Sequence, residues 1–169
     1  MGNRIGLFYS FNSKKMKQVV EKLKDSLHEF DIQDINIEEA DESSLDPFEN
    51  LIFGSSTWFD GELPNYWDEF LPSLENKNFL GKKLAIFGLG DQKNYSENFC
   101  DAIGILADFF EKRGIKLIGR FPIKGFTFDD SKAVRNNEFL GLPIDQENLS
   151  DKTVENIEKW SEILKSEFN

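Results

Sequence analysis

Two aromatic residues and one strand-to-helix junction carry the chemistry legible in this chain. Trp58 lies in "SSTWFDGELPN", between Thr57 and Phe59 and just ahead of Asp60, Gly61 and Glu62, outside any amphipathic stripe. Tyr95 lies in "GLGDQKNYSENF", after Gly88, Gly90 and Asp91. Rings projecting from two neighbouring loops can clamp a flat heteroaromatic group, each stack adding on the order of 1 kcal/mol beyond area burial. The alternative for Trp58 is a lid folded back on the protein itself. The junction is "YSFNSKKMKQV", where an apolar run hands over to a helical pattern. A helix N-terminus offers N–H groups to an anion, so a phosphate is expected there. This junction has no glycine and carries Lys14 and Lys15. A lysine beside a phosphate acts as a point charge. The alternative is that both lysines lie on the exposed first turn and touch only water.

Other chemistries lack their residues. His28 is the one histidine and falls within the first helical pattern, where a surface position is expected. Cys100 is the one cysteine, so no intramolecular disulfide can form, and no His/Cys cluster offers a metal site. No nucleophile–base pair stands out, and neither a catalytic group nor a metal ligand is expected.

The elements that must position these residues alternate along the chain. Candidate strands cover 4–9, 33–37, 51–55 and 83–88, and a fifth begins near Ile115 as "IKLIGRF". Helical patterns cover 14–29, 66–74, 98–113 and 153–168; the first places Met16, Val19, Val20, Leu23 and Leu27 on one face. Ser150 or Asp151 is the expected cap of the last. Such alternation implies a parallel sheet covered on both faces. One segment breaks it: "KGFTFDDSKAVRNNEFLGLPID" is turn-rich and charged, and reads as an insertion that splits the fifth strand and holds a small hairpin. Ligands of such sheets bind beyond the carboxyl ends of the strands where strand order reverses, which selects the loops after strands one, three and four.

With 169 residues and 17 phenylalanines, the chain reads as one packed domain, 1–169, with the insertion at about 122–141. The formal charge of −11 argues against nucleic acid as a partner and suits steering toward a basic protein, or solubility alone. No targeting or membrane-spanning stretch is evident, and a cytoplasmic monomer with no membrane insertion is expected.

The stretches "STWFDGELPNYWDEFLPSL", "GKKLAIFGLGDQKNYSENFCDAIGIL" and "SKAVRNNEFLGLPIDQENLSDKT" together resemble the flavodoxins, in particular the long-chain branch with its split fifth strand. The resemblance runs almost end to end. It implies a doubly wound, five-stranded parallel sheet of order 2-1-3-4-5 with helices on both faces. It also implies an electron-transfer flavoprotein that holds flavin mononucleotide (FMN) without covalent attachment. Such a carrier shuttles one electron at low potential between semiquinone and hydroquinone, in place of ferredoxin. By similarity, Trp58 and Tyr95 flank the isoalloxazine ring, and Leu89, Gly90 and Asp91 meet its pyrimidine edge, near Asn98, Phe99 and Cys100. Ser56 and Thr57 face the phosphate or ribityl end. The peptide between Phe59 and Asp60, next to Gly61, turns its carbonyl toward flavin N5. The implied partners are a ferredoxin–NADP reductase type flavoenzyme and photosystem I or another low-potential donor.

The departures from the family fall mainly on the phosphate loop. The usual T-x-T-G-x-T is here Phe11, Asn12, Ser13, Lys14, Lys15 and Met16, behind Ser10, and only Ser13 keeps a hydroxyl. The expectation is that backbone N–H groups from Phe11 through Lys15 carry the phosphate, assisted by Ser13 and Lys14. Phe59 stands where short-chain relatives often have glycine, which makes a positive φ there costlier. Two other readings of the fold stay open: a flavodoxin-like binding module with weak or no FMN, and an FMN-dependent quinone reductase.

Overall fold

The computed structural model describes residues 3–168. Its central sheet is built from apolar runs that only a doubly covered position can satisfy. β1 (Arg4–Tyr9), β3 (Asn50–Ser56) and β4 (Lys83–Leu89) are buried along almost their whole length. That is the pattern of strands shielded on both faces. β2 (Asp31–Asn36) reads DIQDIN, is only partly buried and occupies an edge. β1 pairs in parallel with β2 from Arg4↔Asp31 to Tyr9↔Asn36, and β3 with β4 from Asn50↔Lys83 to Ser56↔Leu89. β1 also pairs with β3, so strand order reverses between these two and their carboxyl ends open a crevice.

Beyond β4 the sheet is completed by two short pieces. β5 (Lys116–Leu117) pairs with the start of β4 and β9 (Leu142–Ile144) with its end, giving the order 2-1-3-4-5 with β9 continuing the fifth position. The chain between them forms a small antiparallel sheet of β6 (Phe121–Pro122), β7 (Val134–Arg135) and β8 (Glu138–Phe139), in the order β6-β8-β7. Its β7–β8 hairpin turns at Asn136 and Asn137, both at positive φ (56° and 64°), a conformation asparagine tolerates better than most residues.

Four helices cover the sheet among the described residues: α1 (Lys14–Ser26), α2 (Asn65–Phe70), α3 (Asp101–Glu111) and α4 (Thr153–Glu167). Phe53 meets Trp67 of α2 and Phe110 of α3 on one face (4.9 and 5.1 Å between centroids); Phe87 meets Trp160 of α4 on the other. The apolar stripe expected of α1 is buried in full. None of the helices is long and apolar enough to cross a membrane.

The cap of α4 and the start of α3 differ from expectation. α4 is capped by neither Ser150 nor Asp151, because residues 150–152 form a 3₁₀ turn that runs straight into it. α3 begins at Asp101 rather than 98, since Cys100 adopts a left-handed conformation (φ 53°) that no helix continues through.

At the far end of the sheet Lys82 ties down the 45–48 turn, donating to the carbonyls of Leu45 (3.3 Å), Asp46 (3.3 Å) and Phe48 (2.5 Å). Partial burial lowers its pKa, with Asp46 and Glu49 opposing that shift. Lys82→Met strips these carbonyls of a charged donor, and urea unfolding should show a loss of about 2 kcal/mol.

Candidate functional site

The three crevice loops meet around a cleft of about 520 Å³ at the carboxyl end of the sheet. The loop after β1 supplies its floor. Ser13 caps α1, accepting from Met16 N (3.2 Å), and Lys14 and Lys15 open the helix. Their N–H groups sit at the first two helical positions, where no intrahelical acceptor exists. The other loop N–H groups are already committed. Phe11 N donates to Asn36 Oδ1 (3.3 Å) and Asn12 N to Ser10 Oγ (3.3 Å). The donors facing the cleft are therefore narrower than the expected run from Phe11 through Lys15. Lys15 also pairs with Glu147 across the cleft mouth, joining α1 to the turn after β9.

The loop after β3 is held by α3. Thr57 Oγ1 accepts from Ala102 N (3.0 Å), near the start of that helix. Trp58 exchanges two backbone hydrogen bonds with Glu62 (2.8 and 2.7 Å), closing a tight turn over residues 59–61. In that turn Phe59 has φ 49° and is 71 % exposed. Gly61 has φ 91°, and a Cβ there would lie 2.6 Å from Asp101 Oδ2 and 3.2 Å from Asn98 Cβ. Conformation and space thus both require glycine at 61. Asp101 is buried, accepts from Lys132 N (2.8 Å) and has its pKa raised by burial.

The loop after β4 is organised by carboxylates. Asp91 accepts from Lys93 N (3.1 Å), Asn94 N (3.0 Å), Asn94 Nδ2 (2.9 Å) and Asn148 Nδ2 (2.8 Å). Asp145, only 2 % exposed, accepts from Gln92 N (3.0 Å) and Asn148 N (3.0 Å), and Asn148 Nδ2 also reaches it (2.9 Å). One asparagine amide therefore clamps the loop that bears Tyr95 to the turn after β9. Tyr95 itself is 56 % exposed and bounds the cleft.

Trp58 is held edge-on by Tyr66 (5.9 Å) and bounds an adjoining pocket of about 300 Å³. Cleft and pocket share Ser13 and Ser56. Tyr95 thus bounds the cleft and Trp58 the adjoining pocket, with Ser13 and Ser56 between them.

Most of the site residues expected from the sequence gather here, and a few do not. Ser13, Lys14, Lys15, Ser56, Thr57, Leu89, Gly90, Asp91 and Tyr95 line the cleft, and Ser10, Asn12 and Trp58 line the pocket. Phe59, Asp60 and Gly61 form the turn above α3, with Asn98 packed beneath it. The Met16 side chain is in the core, and Phe11 packs on Tyr9 (4.9 Å). Phe99 is buried against Phe126, Phe128 and Phe139 of the insertion. The Cys100 thiol is buried 3.7 Å from Gly88 O, and burial raises its pKa. Sequence reasoning missed Asn94, Asp145, Glu147 and Asn148; their only signal was the turn-forming composition of "DQKN" and "DQEN".

The Asp91 network has a pH signature. The Asn94 N–H above all, then the Asn148 and Asn94 amides and Lys93 N–H, hold its carboxyl below the usual range; slight burial opposes them. A depressed folded pKa contributes stability that is complete above the unfolded value, about 4, and is lost as pH falls through the folded one. Asp91→Asn should be less stable than the parent at pH 7. The difference should close as urea titrations are taken below about pH 4.

A 2-1-3-4-5 parallel sheet with a cleft at its switch point, between a helix N-terminus and aromatic loops, defines a doubly wound α/β protein of the mononucleotide-binding class. Residues 7–160 match the family model for flavodoxin. The chain belongs to the flavodoxin family and, as such, is an electron-transfer flavoprotein rather than an enzyme. It is 43 % identical to flavodoxin of Synechococcus elongatus over 166 residues, covering 98 % of each chain. It is 42 % identical to flavodoxin 1 of Azotobacter vinelandii over 170 residues, again 98 % of each. Among solved structures, Fusobacterium nucleatum flavodoxin bound to flavin mononucleotide superposes with a TM-score of 0.92. That structure is 31 % identical, over 98 % of this chain and 99 % of the other.

Proposed function

We propose that this flavodoxin is a low-potential one-electron carrier that holds one FMN without covalent attachment in the cleft between α1, Trp58 and Tyr95. The observation that carries this reading is a single hollow with a helix N-terminus and two lysines on one side and Tyr95 on another. The donor set fits FMN: the Lys14 and Lys15 N–H groups and Ser13 suit the phosphate, and the Trp58 and Tyr95 faces suit the ring. Bound FMN supplies the one-electron chemistry, and the protein supplies position and field.

The chain's own residues set that field. Asp91 and Glu147 line the cleft, and Asp60 and Glu62 belong to the turn beside Trp58, in a protein of net charge −11, so a second negative charge on the ring is opposed by like charges. That repulsion makes the second reduction difficult and the carrier a strong reductant. In this reading the chain acts as one cytoplasmic, monomeric domain with its insertion at about 122–141. It replaces ferredoxin between a low-potential donor, such as photosystem I, and a ferredoxin–NADP reductase type flavoenzyme. The acidic surface steers those encounters, so the transfer rate to a basic reductase should fall steeply with ionic strength.

A redox titration of the purified protein followed by visible spectra tests the reading. Two well-separated one-electron steps, with the second far below the first, are expected. A colourless protein that takes up no FMN would overturn it.

A further inference from the structure

The loop assigned to the phosphate is hydrogen-bonded to an anion from a neighbouring turn. Glu38, in the 3₁₀ turn Ile37–Glu39 that follows β2, accepts hydrogen bonds from Ser10 Oγ and from Asn12 Nδ2 (2.9 Å). Asn36 fixes this arrangement: its side-chain oxygen accepts from Glu38 N (3.2 Å) and from Phe11 N (3.3 Å). The buried Ser10 hydroxyl takes the Asn12 N–H while donating its own hydrogen to Glu38. Donors that a hydroxyl-rich loop would turn toward a phosphate are here spent on a carboxylate.

The position of that carboxylate gives it a role. It borders the pocket that Ser13 and Ser56 also line, so it shares that pocket with the cap of α1. Its charge is felt inside the pocket: burial and then the Glu38 charge push the Tyr66 phenol up to about 12. The counter-charge nearby is divided, because Lys15 is paired with Glu147.

We propose that Glu38 is a specificity-determining residue of the phosphate subsite, which weakens the protein's preference for phosphorylated over unphosphorylated flavin. The proposal rests on the reading of the loop after β1 as the phosphate site. The carboxylate repels a phosphate dianion and leaves an uncharged ribityl end unaffected, so its effect should appear in FMN affinity and not in riboflavin affinity. Lys14, facing the cleft from the first turn of α1, offsets part of that repulsion.

The test is a fluorescence titration of FMN and of riboflavin into apoprotein prepared from the parent, Glu38→Gln and Glu38→Ala. Glutamine keeps an oxygen for Ser10 and Asn12 and loses only the charge. Glu38→Gln should bind FMN about tenfold more tightly and riboflavin within about twofold of the parent. The FMN gain should shrink in high salt. Glu38→Ala should favour FMN over riboflavin in the same direction. Equal changes for both flavins, or an unchanged FMN affinity in Glu38→Gln, would overturn the proposal while the parent's preference for FMN kept the loop reading intact. A parent that binds both flavins equally, with no response to Lys14→Gln or Ser13→Ala, would overturn the loop reading as well.

Discussion

Tyr95→Ala should weaken FMN binding by roughly 30- to 150-fold, the equivalent of about 2–3 kcal/mol. The Tyr95 ring is more than half exposed, has no aromatic neighbour among the ring contacts of the described residues, and lines the cleft. Removing it forfeits the stacking term and the area the ring would cover, with little damage to the core. Unfolding of the apoprotein should therefore change by less than about 0.5 kcal/mol. Trp58 makes a useful contrast, because its ring also packs on Tyr66 and Phe59. Trp58→Ala should lower both flavin affinity and apoprotein stability. An apoprotein titration of Tyr95→Ala that matched the parent in FMN affinity would remove this ring from the site.

Gly104→Ala is expected to destabilise the fold by about 3 kcal/mol, although alanine normally favours a helix interior by about 1 kcal/mol over glycine. The two effects have opposite signs, and the structure decides between them. A Cβ on Gly104 would lie 2.0 Å from the Lys132 carbonyl oxygen, and backbone cannot swing away as a side chain can. That backbone is pinned: Lys132 N donates to Asp101 (2.8 Å), and Ser131 Oγ donates to Phe99 O (2.5 Å). To admit a methyl group, the segment would have to leave α3 and uncover Phe99. Urea unfolding of the apoprotein measures the effect, and a variant as stable as the parent would show that this contact is looser than described.

Position along the sheet explains which parts of the fold were legible before the structure. β1, β3 and β4 announce themselves because a strand buried on both faces must be apolar throughout. The α1 face from Met16 to Leu27 was equally plain, since helical spacing and burial coincide there. β2 begins at Asp31, two residues ahead of the expected start, because an edge strand lacks the continuous apolar run that marks its bounds. The segment between β5 and β9 holds the expected hairpin, β7–β8, and a third short strand, β6, that was not expected. Pairs of residues such as Phe121–Pro122 have no periodicity to detect, and only their partners make them strands.

For the site, residue type was readable from sequence and commitment was not. Aromatic rings in turn-rich loops, and a helix start after a buried strand, stand out because each is costly to place without a purpose. The sequence by itself determined a doubly covered parallel sheet, the loops at its carboxyl end and the rings at Trp58 and Tyr95. Only the tertiary structure decided that Asn148 bridges Asp91 to Asp145, and that Glu38 reaches the loop after β1 from the turn that follows β2. It alone decided that Gly104 must be bare. The physical reason is range. Burial and helical spacing are written within a few residues. A hydrogen bond across 57 positions, or a 2.0 Å approach between a helix and an insertion, exists only once the strands have brought those segments together.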